Sequence, residues 1–127
     1  SNIAYYTAIL PDDFVSFSSA KIRFTTSDVT NGHTVIFNIA TACVNPNASV
    51  ADTPTYNASN AFTTVTIGGA AVANAAYNTT AGTVTATGCA AGYIMHIALS
   101  RSASDSSTDT AIALTGALVL AYNGAFN

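Results

Sequence analysis

The sequence predicts an all-β fold, an antiparallel β-sandwich that occupies residues 1–127 as a single domain. Apolar and polar residues alternate with a period of two in several short segments, which is the pattern of half-buried strands. Turn signals such as Asn31-Gly32 and Gly68-Gly69 separate these segments, and no stretch carries a helical periodicity. About eight short strands bounded by turns favour an eight-stranded jelly roll.

The predicted strands follow one another along the chain with turns or polar loops between them. The first is rich in aromatic and β-branched residues and stops at the turn that begins at Pro11. The second places Ile22 and Phe24 on one face and Lys21 and Arg23 on the other, so one of its faces is expected to meet water. The full set is 3–10, 20–26, 34–43, 62–67, 71–77, 83–87, 92–101 and 110–122.

The last two predicted strands, joined by the polar loop 102–109, are expected to form the spine that the upstream segments cover. In strand 110–122 large apolar residues share one parity and small residues share the other. We therefore expect the large face to be buried and the small face to lie against another surface. The large face consists of Ile112, Leu114, Leu118 and Leu120, and the small face of Ala111, Ala113 and Ala117.

Charge is scarce in this chain, and its scarcity limits the classes of partner. Charged residues make up 7% of the sequence, against about 25% in an ordinary domain. The net charge is −3 and there are three bases, so no basic patch for nucleic acid can be built. No apolar run is long enough for a transmembrane helix, so no membrane partner is expected. A surface this poor in charge favours a packed assembly or an extracellular particle.

The two cysteines, Cys43 and Cys89, leave two alternatives open. They form a disulfide if their strands face each other across the sandwich. Otherwise they are two small buried thiols, as free cysteines commonly are.

No metal site is predicted. His33 and His96 lie 63 positions apart, whereas zinc ligands usually come in closely spaced pairs. Asp105 and Asp109 flank a Ser/Thr loop and offer oxygens to Ca²⁺, but their spacing fits no calcium loop. We expect a loop whose side chains cap its own backbone, with Arg101 paired to one of the two aspartates at an exposed position.

No catalytic residue and no cofactor site is predicted either. Hydrolysis requires an activated nucleophile beside a base, or two carboxylates that flank a sugar bond. No serine lies in a Gly-x-Ser-x-Gly turn, and the sequence contains no glutamate. The aspartates fall in predicted turns. We therefore expect a protein without enzymatic activity.

Sugar recognition is the alternative binding function. Tryptophan is absent and there are six tyrosines. Tyr56 and Tyr77 fall in weakly structured stretches, where they serve either as a stacking platform or, as we favour, as loop anchors. Asn47, Asn57 and Asn78 match the N-glycosylation acceptor pattern, which is a weak signal in a chain rich in Asn, Ser and Thr.

Several spaced positions along most of the chain resemble small jelly-roll domains of tailed-phage virion proteins. They are Leu10-Pro11-Asp12-Asp13-Phe14, Ile22 and Phe24, the segment 35–39, Gly92-x-x-Met95-x-Ile97-x-Leu99-x-Arg101, Asp105, Asp109-Thr110, Gly116 and Tyr122. Such domains serve as capsid decoration, fibre or tail-associated proteins, commonly as trimers. The chain departs from that pattern in lacking tryptophan in its early strands, and the resemblance supplies no catalytic residues.

The sequence therefore predicts a non-enzymatic structural protein of a virion, located on the particle outside the cell. Its expected partners are copies of itself, as a homotrimer, and a major capsid protein or other virion protein. The loop 44–60 is long for a connection, and we expect it to be an arm that lies on a neighbouring copy. The alternatives are a module that binds a host-surface glycan, and an extracellular filament subunit whose strand 3–10 completes a neighbour's sheet.

Overall fold

The computed structural model describes residues 3–48 and 52–125, and within these residues it contains ten β-strands and no helix. The strands are β1 (Ile3–Ile9), β2 (Phe14–Thr26), β3 (Thr34–Val35), β4 (Phe37–Val44), β5 (Asn60–Ala61), β6 (Val65–Thr66), β7 (Ala75–Ala81), β8 (Ile94–Arg101), β9 (Ala113–Leu114) and β10 (Val119–Gly124).

Two sheets enclose the core, and every strand pair is antiparallel. The first sheet has the order β1-β8-β4-β5, and the second has the order β10-β2-β7, with β9 also paired to β2. A small third sheet joins β3 to β6. This arrangement confirms the predicted all-β antiparallel fold. The strand count differs from the predicted eight, and the jelly-roll topology remains a prediction.

The core forms between the central strands of the two sheets, because those strands alternate as the sequence predicts. In β8 the buried side chains are Met95, Ile97 and Leu99, with half-exposed residues between them. In β2 the residues Ile22 and Phe24 are buried in the same way. Most of the remaining core comes from Leu10, Phe14, Val35, Phe37, Ile39, Phe62, Ile67 and Val84. Burial of a large apolar side chain contributes roughly 1.5–3 kcal/mol, so this layer is the main source of stability.

Of the two strands predicted to form the spine, the second, 110–122, is wrong. The segment 110–122 is divided into β9 and β10, since the chain turns at Gly116, whose φ of 105° suits glycine. Both pieces pair with β2 and not with β8. The central strands of the sandwich are therefore β8 and β2. The long strand β2 takes the central position that was expected for the C-terminal segment.

Four other strand predictions need correction. The first strand and the strand 92–101 are found nearly as predicted, and the predicted strand 20–26 lies within the longer β2. Segment 34–43 divides at Ile36, segment 62–67 shortens to β6 with β5 just before it, and the strand predicted at 71–77 is shifted to β7. No strand forms at 83–87. There the Thr85 amide and hydroxyl donate to Asn60 Oδ1, and the Thr41 hydroxyl donates to the Thr85 carbonyl. Side-chain hydrogen bonds thus replace the expected strand ladder in that segment.

A disulfide joins Cys43 and Cys89, which settles the alternative that the sequence left open. It links the end of β4 to the turn that precedes β8, with a Cα–Cα distance of 5.0 Å and a sequence separation of 46. Both residues pack against the core.

Candidate interaction surfaces

A cleft lies between the two sheets along one side of the sandwich, and we call it the lateral cleft. It runs between β1, the edge strand of the first sheet, and β9 and β10 of the second. It has two depressions with volumes of about 710 and 460 Å³. Its walls include Tyr6, Phe17, Ile112, Leu114, Leu118 and Leu120.

The lateral cleft explains why the predicted large face is only half-buried. Ile112, Leu114, Leu118 and Leu120 pack against the core, but each keeps an exposed fraction because the cleft opens beside it. The expectation of full burial is therefore wrong. The opposite small face (Ala111, Ala113 and Ala117) is exposed.

Exposed apolar side chains border the cleft. Ile9 is 74% exposed and Ile3 is 45% exposed, and both line the depressions from β1. Tyr122 borders the cleft from β10, where its hydroxyl donates a 3.0 Å hydrogen bond to Asp13. This hydrogen bond is the main cause of the raised pKa of Tyr122. The smaller depression has no charged residue among its lining residues.

The outward face of the first sheet is a second surface, and the segment 52–57 reaches onto it. Register pairs Tyr5 with Ala98 and Thr7 with His96, so these side chains are neighbours on that face. The Tyr5 and Tyr56 rings lie 6.4 Å apart with a tilt of 45°. His96 Nε2 lies 2.8 Å from Asp52 Oδ1. The described part of the predicted arm 44–60 thus packs on its own sheet.

The two members of each pair differ in exposure. Tyr5 is 65% exposed, whereas Tyr56 is half-buried, and burial is the main cause of the raised pKa of Tyr56. The Asp52 side chain is 62% exposed, whereas that of His96 is 15% exposed. The surface therefore presents one open ring and one open carboxylate, and each has a partner that is better packed.

A polar cluster beside the turn 27–33 holds the loop 102–109 in place. The carboxylate of Asp28 is buried and accepts hydrogen bonds from the Thr30 amide at 2.9 Å and the Thr108 amide at 3.0 Å. His33 Nδ1 lies 2.8 Å from the same carboxylate and must carry the proton, because an ionised carboxylate only accepts. The hydrogen bond from the Thr30 amide, followed by that from His33, lowers the pKa of Asp28 far below its ordinary value.

Asp109 connects the same loop to the end of β2. Its carboxylate accepts hydrogen bonds from the Thr26 hydroxyl and the Ser27 amide at 2.8 and 2.7 Å, and from the Ala111 amide at 2.9 Å. Burial by itself would raise the pKa of Asp109, but the amides of Ala111 and Ser27 outweigh it and lower the pKa. The carboxylate caps backbone groups, as expected for this loop.

Arg101 forms the predicted pair with Asp105, but the pair is not exposed. Arg101 Nε and Nη2 donate to the two carboxylate oxygens at 2.9 and 2.8 Å, and the Asp105 side chain is 6% exposed. The guanidinium also donates to the carbonyls of Ser107 and Asp109. A bidentate pair with further partners fixes loop geometry far better than a surface ion pair does.

The structure separates the residues that were weighed as metal ligands. His33 pairs with Asp28 and His96 with Asp52, while Asp105 accepts from Arg101. Within residues 3–48 and 52–125 no group of three potential ligands is close enough to hold a metal ion. Each of these aspartates has at least one oxygen in contact with a protein side chain.

The remaining candidates from the sequence are Tyr77 and the three asparagines that match the glycosylation pattern. Tyr77 stacks on Phe24 at 5.6 Å and 24°, so it is an anchor and not a platform. Asn57 donates to the Thr87 carbonyl, while Asn47 and Asn78 are exposed.

Sequence reasoning missed Asp28, Tyr5 and Asp52. The Thr108 amide that Asp28 binds lies 80 residues away, so no local pattern announces it. Tyr5 reads as an ordinary strand residue until register and the neighbouring loop are known.

No family model, no curated protein and no solved structure matches this chain. Among the described residues there is no helix that is long and apolar enough to cross a membrane.

Proposed function

We propose that this chain is a non-enzymatic structural subunit of a virion, a capsid-decoration or fibre protein that works by self-association and by docking on a shell. The observation that carries the proposal is the lateral cleft, an opening between the two sheets whose smaller depression has no charged lining residue and which exposed apolar residues border. Contiguous exposed apolar surface of this kind is typical of protein interfaces.

Among residues 3–48 and 52–125 no strand pairs with the outer edge of β1, and this edge adds backbone groups to the surface. β1 ends the strand order of the first sheet and pairs with β8 along Ile3–Ile9. The opposite edge of β1 therefore presents N–H and C=O groups that another strand can meet. Proteins that stay monomeric usually protect such an edge with charge or proline, and β1 contains neither.

A second copy of the chain is the occupant that best fits this edge. The smaller depression offers no charge to a charged partner, whereas another copy brings a matching apolar border. In a closed ring with three-fold symmetry, the β1 edge of each copy would meet a second surface of the next copy, so no edge would stay open. We expect a homotrimer whose contacts bury at least about 1,000 Å² in total.

Two further features support a location outside the cell on a particle. The Cys43–Cys89 disulfide is of a kind that persists in oxidising surroundings. Charged residues make up only 7% of the chain, and such a surface suits a packed assembly. The partner beyond the copies themselves would be a major capsid protein or another virion protein.

Sedimentation and native mass spectrometry of the isolated chain test the self-association. We expect a mass near three times 12.8 kDa, unchanged at high salt because the contact is apolar. Ile9→Asp and Ile3→Asp should give monomers, because each places a carboxylate on the border of the cleft. Val72→Asp is the matched control, since Val72 is 68% exposed and does not line the cleft.

A wild-type chain that is monomeric at micromolar concentration in both low and high salt would contradict the proposal. The virion assignment has its own test. Mass spectrometry of purified particles from the virus whose genome encodes the chain should find it among the structural proteins.

A further inference from the structure

We propose that the outward face of the first sheet binds a neutral, hexose-containing glycan, with Tyr5 and Tyr56 as the stacking platform and Asp52 as the hydrogen-bonding group. This site is separate from the lateral cleft, because none of these three residues lines either depression. It therefore adds a ligand to a protein whose proposed role so far is assembly.

The two tyrosines form an aromatic platform in which the Tyr5 ring is open and the Tyr56 ring is half-buried. Their ring centroids lie 6.4 Å apart and the planes are tilted by 45°, so the rings form a shallow V rather than a closed stack. Tyr5 leaves 65% of its surface open to solvent. Apolar C–H faces of sugar rings can pack on such aromatic faces, and a tyrosine hydroxyl can form a polar contact at the edge of the ring.

The platform is held in position before any ligand arrives. Tyr5 lies within β1, where the register pairs it with Ala98 of β8. Tyr56 is fixed by its neighbour Asn57, whose amide donates to the Thr41 carbonyl at 2.8 Å and whose side chain donates to the Thr87 carbonyl at 2.9 Å. A preorganised platform loses little entropy when a ligand binds.

Hydrogen-bonding groups lie on the same face of the sheet as Tyr5. His96 is opposite Thr7 and diagonal to Tyr5 on the same face, which separates the Cα atoms by about 7–8 Å. Asp52 is held there by its 2.8 Å contact with His96, while 62% of its side chain stays exposed. One carboxylate oxygen contacts the imidazole, and the exposed carboxylate can also accept from sugar hydroxyls.

Small residues form the floor between these groups. Ala98 of β8 pairs with Ala40 of β4, and both side chains lie on this outward face. Their size leaves room above the sheet beside the tyrosine rings. Ser100 and Asn38, which pair with each other at the next position on the same face, add further hydrogen-bonding groups.

Charge decides which class of sugar fits. The exposed group at the platform is a carboxylate, and the chain carries a net charge of −3. An acidic sugar, such as a sialylated or sulfated one, would meet repulsion at Asp52. A neutral hexose instead offers hydroxyl donors to the carboxylate and an apolar face to the tyrosines.

The test uses the full chain on an array of immobilised neutral oligosaccharides of glucose, galactose and mannose, with sialylated and sulfated counterparts. Titration of the best neutral probe can follow tyrosine fluorescence, because the chain has six tyrosines and no tryptophan. We expect binding to a neutral probe and not to its acidic counterpart.

Variants separate this site from general adhesion. Tyr5→Ala and Asp52→Asn should each weaken binding at least tenfold. Tyr5→Phe keeps the ring and should stay within about threefold, and Val72→Ala serves as an exposed control away from the face. Circular dichroism and the thermal midpoint should show that each variant is folded. If Tyr5→Ala is unfolded, Tyr5→Ser replaces it.

Two results would overturn the inference. One is the absence of binding to every neutral probe at millimolar concentration. The other is binding that folded Tyr5→Ala and Asp52→Asn variants retain in full.

Discussion

Removal of the Cys43–Cys89 disulfide should cost this fold about 4 kcal/mol, and the double variant Cys43→Ala/Cys89→Ala measures that cost. The bond closes a loop with a sequence separation of 46. For a loop of this length, the chain-entropy model gives an entropy loss in the unfolded chain of roughly 14 cal/mol/K, or about 4 kcal/mol of stability at 25 °C. Domains of this size are usually stable by about 5–15 kcal/mol, so the bond supplies a large share.

The loop closed by the disulfide explains why the loss matters here. It contains segment 83–87, which no strand ladder holds and which depends on hydrogen bonds such as that from the Thr85 amide to Asn60. Without the cross-link the unfolded chain regains its freedom, and only these hydrogen bonds and the burial of Val84 then order the segment. We expect residues 83–92 to become the first site of proteolytic cleavage in the double variant.

Urea titration followed by circular dichroism is the assay. With a slope of about 2 kcal/mol/M, a loss of 4 kcal/mol lowers the midpoint by about 2 M. Wild-type protein treated with a thiol reductant is the matched control, because it loses the bond and keeps both sulfur atoms. A cost below about 1 kcal/mol, with mass spectrometry showing the bond intact in the untreated wild type, would refute the entropic argument.

Two further predictions concern the core and the buried carboxylate. Leu99→Ala should lower the free energy of unfolding by about 2–5 kcal/mol, because Leu99 is buried. Leu118→Ala should lower it by only about 1–2 kcal/mol, because the cleft already exposes part of Leu118. Equal losses in urea titration would contradict the half-burial of Leu118. The folded-state pKa of Asp28 lies below its usual 3.8, so its stabilising effect is complete above about pH 5 and is lost as pH falls toward the folded value. Asp28→Asn should therefore destabilise the protein at pH 7 and flatten the decline of its urea midpoint between pH 5 and pH 3, and an unchanged decline would rule out this role.

Local sequence patterns were enough to predict which side chains of a strand face the core, because this depends on alternation within that strand. The alternation in β8 predicts that Met95, Ile97 and Leu99 face the core, and they are buried. Pairing partners were beyond such patterns, because the parity of 110–122 says which residues share a face and not which strand they join. The turn at Gly116 and the pairing of β9 and β10 with β2 depend on the whole second sheet.

The candidate surfaces were less predictable than the fold, and for a physical reason. Arg101 and Asp105 lie four residues apart, so their pairing could be expected from the sequence. The contact of Asp52 with His96 spans 44 residues, and that of Tyr5 with Tyr56 joins the first strand to a distant loop. Only the folded register brings these groups together. The alternating pattern around Tyr5 contains no sign of the loop that will pack beside it.

The two proposed surfaces share β1, and this sharing links assembly to binding. Ile3 and Ile9 line the cleft at the two ends of β1, and Tyr5 lies between them on the same strand parity and presents its ring on the outward face. Under both proposals, a closed trimer would present three tyrosine platforms in a fixed arrangement. A single shallow platform binds a sugar weakly, but three sites held together can raise the overall affinity by a factor of about 10² to 10⁴ when their spacing matches that of the glycan. The monomeric variant Ile9→Asp should therefore keep its affinity for a soluble oligosaccharide and lose retention on a dense glycan surface.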